Sequence, residues 1–377
     1  MSAPFLHDLG GFPMENTPGA LIAMSGGVDS SVAAYLMKQA GYRCMGATMR
    51  LYQNEDLGQC SFHTCCSAKD VEDAADVAFQ LDIPFEVINY TDEFREKVIK
   101  KFIATYETGG TPNPCIDCNR YMKFDKMLAF AREHGLDYVV TGHYARIEQD
   151  PDTGRWLLKK ALYGEKDQSY VLYVLTQDEL AHTRFPLGGM DKPSIRALAE
   201  RAGFCNAHKH DSQDICFVPD GDYVTFLQRQ GLTLTPGYFL DEAGRVLGRH
   251  RGLPCYTTGQ RKGLGVGGSA YPLYVLRKDA KTNTVVLGPE EHLYSGRTVI
   301  EQCNWIAFED LAEPVRCTAK TRYSQTEAAA TVSPLPGGRA EVVFDTPQRA
   351  LTAGQSAVFY DGDTVLGGGW ICAQEEY

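Results

Sequence analysis

The string Ser25-Gly26-Gly27-Val28-Asp29-Ser30-Ser31 combines glycines, hydroxyls and a carboxylate at a spacing that suits phosphate chemistry. Two adjacent glycines let successive backbone N–H groups converge, and a helix beginning just after them adds the positive end of its dipole, so the string fits a pyrophosphate. Ser25, Ser30 and Ser31 add hydroxyl donors, and Asp29 is placed to hold Mg²⁺ against the phosphates. A Walker loop ends in Gly-Lys-Ser/Thr; this one does not, so no lysine of the loop reaches the terminal phosphates. The plain alternative is a glycine-rich turn with a Ser or Asp cap.

Thiols are the second group. In a reducing compartment most of the 12 cysteines stay as thiols, and unusual clusters read as catalytic or metal-binding. Asn113-Pro114-Cys115-Ile116-Asp117-Cys118-Asn119 carries a C-x-x-C spacing. Pro112 and Pro114 are expected to forbid helix, leaving both thiols on a constrained loop ahead of a helix from Tyr121, whose N-terminus favours a thiolate. Cys216, in Ser212-Gln213-Asp214-Ile215-Cys216-Phe217, reads by itself as a small buried hydrophobe. Cys60, His63, Cys65 and Cys66 have loose metal-like spacing and form either a zinc site or a plain loop. His143 is expected to shape a nucleotide pocket; Arg261 and Lys262 fit RNA backbone contact or a flexible hinge.

These groups need elements to position them. Short apolar runs at Ala20–Met24, Cys44–Met49, Phe85–Asn89 and Tyr138–Thr141 alternate with helical periodicity at Asp29–Ala40, Lys69–Leu81, Thr91–Tyr106 and Tyr121–Glu133, the pattern of a parallel sheet covered on both faces. The fold class is α/β, with a doubly wound Rossmann-like domain over residues 1–205. Ala145–Glu148 and Trp156–Lys160 flank an Asp150–Gly154 turn as a hairpin, and helical signals return at Gln177–His182 and Lys192–Ala202. Residues 206–290 turn rich in Gly, Pro and aromatics and read as a small central domain. Residues 291–377 carry short β-rich runs (Arg316–Lys320, Ala328–Val332, Ala340–Phe344, Ala357–Tyr360, Val365–Trp370) with a tight turn at Asp361-Gly362, which predicts a C-terminal antiparallel β-barrel.

Composition bounds the partners. With 44% hydrophobic and 23% charged residues the chain is an ordinary globular protein, which excludes disorder, collagen and coiled coil. A net charge of −11 repels a polyanion on average, so any RNA surface is local. Residues 206–290 hold 10 Lys/Arg against 8 Asp/Glu and form the electropositive part. The residues before the first apolar run carry Asp8 and Glu15 and no Lys or Arg, and nothing approaches the ~18 apolar residues of a spanning helix, so the chain reads as cytosolic and without a membrane partner. The sequence does not give an oligomeric state, and a monomer is the default expectation.

Ser25–Ser31 resembles the PP-loop of ATP pyrophosphatases, which split ATP between its α- and β-phosphates and leave AMP on a carbonyl-type oxygen. Over nearly its whole length the chain is similar to the bacterial tRNA-specific 2-thiouridylases. The matching elements are Ser25–Ser31, Asn113–Phe124, Thr141-Gly142-His143-Tyr144, Lys166-Asp167-Gln168-Ser169-Tyr170, Asp211–Phe217, Thr258–Gly265 and Lys320-Thr321-Arg322-Tyr323. The resemblance implies ATP-dependent sulfur insertion at C2 of the wobble uridine of tRNA, with a sulfur-donor protein as a second partner. It implies ATP contacts at Ala23, Met24, Ser25, Gly26, Gly27, Val28, Asp29, Ser30, Met49 and Gly142. It also implies a nucleophile at Cys118, a persulfide at Cys216 and a transient Cys118–Cys216 disulfide. Contacts to tRNA fall on Lys166, Asp167, Gln168, Arg322 and Tyr323, and contacts to the target base on Asn113, Pro114 and Cys115. Where many members of the family have an aspartate three residues before the nucleophile, this chain has Cys115. Cys115 is then either an auxiliary thiol or, with Cys118 and Cys216, a ligand of an iron–sulfur cluster with one open iron. Two other classes compete: an amidating synthetase built on the same loop, which leaves the thiols idle, and a non-catalytic RNA-binding module.

Overall fold

The computed structural model describes residues 17–52, 68–210, 215–218, 221–269 and 271–373. The chain divides into two compact units, one of residues 1–98, 115–221 and 363–365, the other of residues 99–114, 222–362 and 366–377.

In the first unit β1 (Gly19–Ala23), β2 (Arg43–Arg50), β3 (Phe85–Asn89) and β4 (Tyr138–Val140) are followed by a hairpin of β5 (Ala145–Gln149) and β6 (Trp156–Lys160), and then by a two-residue strand, β7 (Thr183–Arg184). A parallel sheet runs β3-β2-β1-β4-β7. Strand β1 reads Gly-Ala-Leu-Ile-Ala without a polar residue because it is covered on both faces. Ala20 and Ile22 join Val32, Met37, Val77 and Ile195 in one layer, while Leu21 joins Met127, Leu128 and Val139 in the other. Strand order reverses between β1 and β4, and ligands of doubly wound sheets bind beyond the carboxyl ends of the strands at such a point. The loops after β1 and β4 are therefore the ones that matter. Strand β7 is too short to leave a periodic signal in the sequence.

The thiol segment differs from expectation. Residues Pro114–Cys118 are helical, Asn119–Lys126 continue as a π-helix and Met127–Glu133 as an α-helix. Pro114 opens the helix, where a missing N–H costs nothing and a fixed φ is already helical, so proline starts the helix here instead of preventing it. The predicted helix Thr91–Tyr106 is likewise broken by a π-helical turn at Arg95–Ile99.

The second unit holds β8 (Gly237–Leu240), β9 (Val246–His250), β10 (Tyr274–Asp279) and β11 (Thr284–Gly288), ordered β10-β11-β8-β9 around Phe239, Val275, Val285 and Leu287. Only the central β8–β11 pair is parallel. Beyond it β12 (Tyr294–Trp305), β13 (Val315–Lys320), β14 (Ala328–Leu335), β15 (Arg339–Arg349), β16 (Ser356–Asp361) and β17 (Thr364–Ile371) run β12-β15-β14-β13-β16-β17, and β12 pairs with β17 to close an antiparallel barrel. The long β12 escapes sequence reading because its register shifts between Glu301 and Asn304, with Gln302 at φ +50°, which breaks the alternation of faces.

Candidate active site

The loop after β1 is tied from within. Ser25 N–H donates to Ser30 Oγ at 3.2 Å, and the Gly27 carbonyl accepts from Ser30 Oγ at 3.0 Å, from Ser31 Oγ at 3.1 Å and from Ser31 N–H at 3.3 Å. Ser25 Oγ also lies 3.4 Å from Ser30 Oγ, so all three loop hydroxyls shape the loop. Met24 is held by its N–H on the Ala47 carbonyl and by Thr48 Oγ1 donating to its own carbonyl. Gly26 sits at φ +71°, and a Cβ there would stand 2.3 Å from the Asp70 carbonyl oxygen. The fold closes on this glycine from outside.

The loop after β4 meets it. A Cβ on Gly142 would come within 2.9 Å of the Asp29 carbonyl carbon and the Ser30 nitrogen, so the two backbones touch there. Tyr144 Oη donates to Asp29 Oδ1 at 2.7 Å. Lys192, the first residue of the helix Lys192–Ala202, donates to both carboxylate oxygens of Asp29, at 2.8 and 2.9 Å. The cation that the loop's own sequence lacks is thus supplied 163 residues away.

His143 is buried, and burial, with the Lys123 ammonium beside it, pushes its pKa well below the ordinary histidine value. Lys123 Nζ lies 3.4 Å from Nε2 and can only donate, so Nε2 accepts and Nδ1–H donates to Thr141 Oγ1 at 2.6 Å. A neutral imidazole fixed at both nitrogens links the loop after β4 to the thiol helix through Lys123.

On that helix Cys118 is buried at 8% exposure while Cys115, three residues earlier, faces outward. Asp117 is buried as well. Asn119 donates to the Val171 carbonyl at 2.9 Å, which fixes the turn that follows Cys118. Cys216 is half-buried; Tyr52 Oη donates to its carbonyl at 3.1 Å, and Phe217 stacks edge-on against Phe94 with centroids 5.6 Å apart. Among the described residues no three His, Cys, Asp or Glu side chains gather as a metal site requires. That includes Cys115, Cys118 and Cys216, so the arrangement does not fit the iron–sulfur alternative. Cys60, His63, Cys65 and Cys66 lie outside the described residues.

Of the residues expected to meet tRNA, Lys166 is exposed, whereas Asp167 takes hydrogen bonds from Ala161 N–H and Ser169 Oγ. Gln168 is doubly bonded to the backbone of Tyr144, at 2.9 and 3.0 Å, which joins this segment to the loop after β4. In the second unit Arg322 Nη2 donates to the Thr258 and Ala350 carbonyls and to Thr352 Oγ1, while Tyr323 is exposed. Asn113 is half-buried and Pro114 buried. Sequence reasoning missed Lys192, Tyr52, Asn206 and Lys209, the last two of which contact the Gly26 carbonyl. Of the side chains that bond the loop from outside it among the described residues, Tyr144 alone stood in a motif.

Three family models match the chain. They are described as the tRNA methyl transferase HUP domain over residues 19–220, the tRNA methyl transferase PRC-barrel domain over 224–289 and the aminomethyltransferase beta-barrel domain over 295–371. The tRNA-specific 2-thiouridylase MnmA of Symbiobacterium thermophilum is 50% identical over 356 residues, covering 93% of this chain and 91% of its own length. Its counterpart from Acetivibrio thermocellus is 49% identical over 353 residues, covering 93% and 98%. That from Clostridioides difficile is 47% identical over 352 residues, covering 93% and 97%.

Proposed function

The chain belongs to the tRNA-specific 2-thiouridylase family, and from that premise we propose how this enzyme, a tRNA-uridine 2-sulfurtransferase, replaces oxygen by sulfur at C2 of the wobble uridine. The observation that carries the mechanism is that a pyrophosphate-shaped loop at the switch point of the sheet shares one compact unit with two separately anchored thiol segments.

ATP enters with its Mg²⁺ as substrate. Ser25–Ser30 and Gly142 receive the nucleotide, with Ala23, Met24 and Met49 beside it. Asp29 holds Lys192 on both of its oxygens and orients that ammonium toward the loop. The uracil O2 attacks the α-phosphorus, pyrophosphate leaves, and the C2–O bond is activated as an adenylate. A donor protein of the cysteine-desulfurase or relay class has by then left a persulfide on Cys216. Its terminal sulfur attacks C2 and AMP leaves with the oxygen. The Cys118 thiolate then attacks the Cys216 sulfur, so that the S–S bond to the base breaks, the base keeps the outer sulfur as 2-thiouridine, and Cys118 and Cys216 are left as a disulfide. An external dithiol reductant reopens it. The target base must leave its stack, which costs ~a few kcal/mol, least in an exposed anticodon loop. Asn113, Pro114 and Cys115 face that base; Lys166, Asp167, Gln168, Arg322 and Tyr323 hold the tRNA. Such a reaction belongs in the reducing cytosol.

The matched models speak of methyl transfer and the similar proteins of thiolation. Thiolation is favoured because methyl transfer needs neither a pyrophosphate loop nor a thiol pair. The test is to give the purified enzyme ATP, magnesium, a persulfide donor and unmodified tRNA transcript. We expect pyrophosphate release and a nucleoside whose mass shift is that of sulfur for oxygen. A methylated nucleoside, or neither product, overturns the proposal.

A further inference from the structure

The peptide between Gly26 and Gly27 is gripped from one side by a segment that lies 180 residues on. Asn206 Nδ2 donates to the Gly26 carbonyl at 3.0 Å and to Ser31 Oγ at 2.9 Å, and Lys209 Nζ donates to the same carbonyl at 3.0 Å. Lys209 also meets Asp70 Oδ1 at 2.5 Å and Asp73 Oδ2 at 2.7 Å, both on the helix Ala68–Gln80, and Lys69 meets the other Asp73 oxygen at 2.9 Å. Two ammonium groups thus face two carboxylates.

The segment that carries these donors is itself held. Phe204 is buried in the core against Tyr35, and Arg196 Nη1 donates to the carbonyls of Ala207 and Lys209 at 3.2 and 3.0 Å. Arg196 lies one turn after Lys192. One helix therefore fixes both the lysine on Asp29 and the strap on Gly26. Asn206 is 3% exposed and its Oδ1 has no partner among the described residues, so its amide is oriented by the two donor contacts alone.

In a planar trans peptide the C=O and the next N–H point in opposite directions. Two donors on the Gly26 carbonyl consequently aim the Gly27 N–H away from the strap. Donation to a carbonyl also polarises its peptide and strengthens the N–H as a donor. Here that N–H belongs to the turn that meets the phosphates.

We propose that Lys209 and Asn206 are positioning residues that hold the Gly26–Gly27 peptide in the orientation that receives the departing pyrophosphate. This rests on the reading of the loop as the ATP site. It assigns them no contact with substrate.

The experiment compares Asn206→Ala, Lys209→Met and Lys209→Arg in the full-length enzyme with tRNA. The readouts are the rate of pyrophosphate release, product inhibition by inorganic pyrophosphate and by AMP, tRNA affinity, and thermal melting. We expect Asn206→Ala, which leaves the ion cluster intact, to slow pyrophosphate release and weaken pyrophosphate inhibition by about fivefold to tenfold, the worth of the hydrogen bond lost from the Gly26 carbonyl. Inhibition by AMP and tRNA affinity stay as in the parent. Lys209→Met loses more and melts lower; Lys209→Arg recovers part of the pyrophosphate affinity. If Asn206→Ala keeps the parent's pyrophosphate inhibition and rate, or loses AMP and pyrophosphate affinity equally, the clamp is refuted. If the parent enzyme itself releases no pyrophosphate, the ATP-site reading fails instead.

Discussion

At the scale of single residues, burial holds several thiols in the neutral form. Burial pushes Cys44 and Cys317 up to about 11, and burial with Cys372 nearby pushes Cys303 up to about 12. At neutral pH only about one in ten thousand of the first two is a thiolate. We expect brief alkylation of the native enzyme, read by peptide mass spectrometry, to mark the exposed Cys115 and to spare Cys44, Cys303 and Cys317. The mechanism separates the others by function. Cys118→Ser and Cys216→Ser are each expected to reduce 2-thiouridine formation to background while tRNA-dependent pyrophosphate release continues, because adenylation precedes the sulfur step. Loss of both activities together in either variant would contradict that order. Cys115→Ser is expected to retain adenylation; full thiolation in that variant makes Cys115 a bystander.

At the scale of elements, the loop after β1 depends on a backbone conformation that only glycine adopts without strain. Gly26→Ala combines φ +71° with a 2.3 Å approach to the Asp70 carbonyl, so the loop or the helix Ala68–Gln80 must move. Strain of this kind costs about 1–3 kcal/mol, and a measured rise in KM for ATP with a lowered melting temperature is expected. In the second unit, β10 carries a different device. Lys278 donates to the carbonyls of Tyr256 at 2.7 Å and Gly110 at 3.2 Å, and burial lowers its pKa to about 8. A lysine depressed in the folded state leaves the unfolded chain binding more protons between about pH 8 and the ordinary lysine value, so its contribution to stability rises with pH across that window. The melting temperature of the parent relative to Lys278→Met should climb between those limits; a flat difference would show that Lys278 does not titrate there.

At the scale of the whole molecule, a chain of net charge −11 has to bind a polyanion through local surfaces. Arg261 and Lys262 are exposed in the electropositive central stretch. If they contact the RNA backbone, replacing both by Gln lowers the salt slope of tRNA binding by about one per lost phosphate contact, while nucleotide affinity without tRNA is unchanged. An unaltered slope would assign them to a hinge. Among the described residues no helix is long and apolar enough to cross a membrane.

Much of this protein is written in short-range patterns. The order of strands and helices around the first loop, the hairpin at Ala145–Gln149 and Trp156–Lys160, and five of the six barrel strands follow from apolar periodicity and turn residues, which act over a few positions. The chemistry of the loop and the thiols follows from residue type. What tertiary structure alone decided is which distant side chains complete the site. Lys192 on Asp29, Tyr52 on Cys216, and Asn206 and Lys209 on Gly26 span 163, 164, 180 and 183 positions, and an isolated Lys, Tyr or Asn leaves no periodic trace. The helix at Pro114–Cys118 is hidden from the sequence for a related reason: whether a proline ends a helix or opens one depends on where the chain enters the turn, and here it enters at Pro114, with Ile116, Asp117 and Cys118 buried behind it.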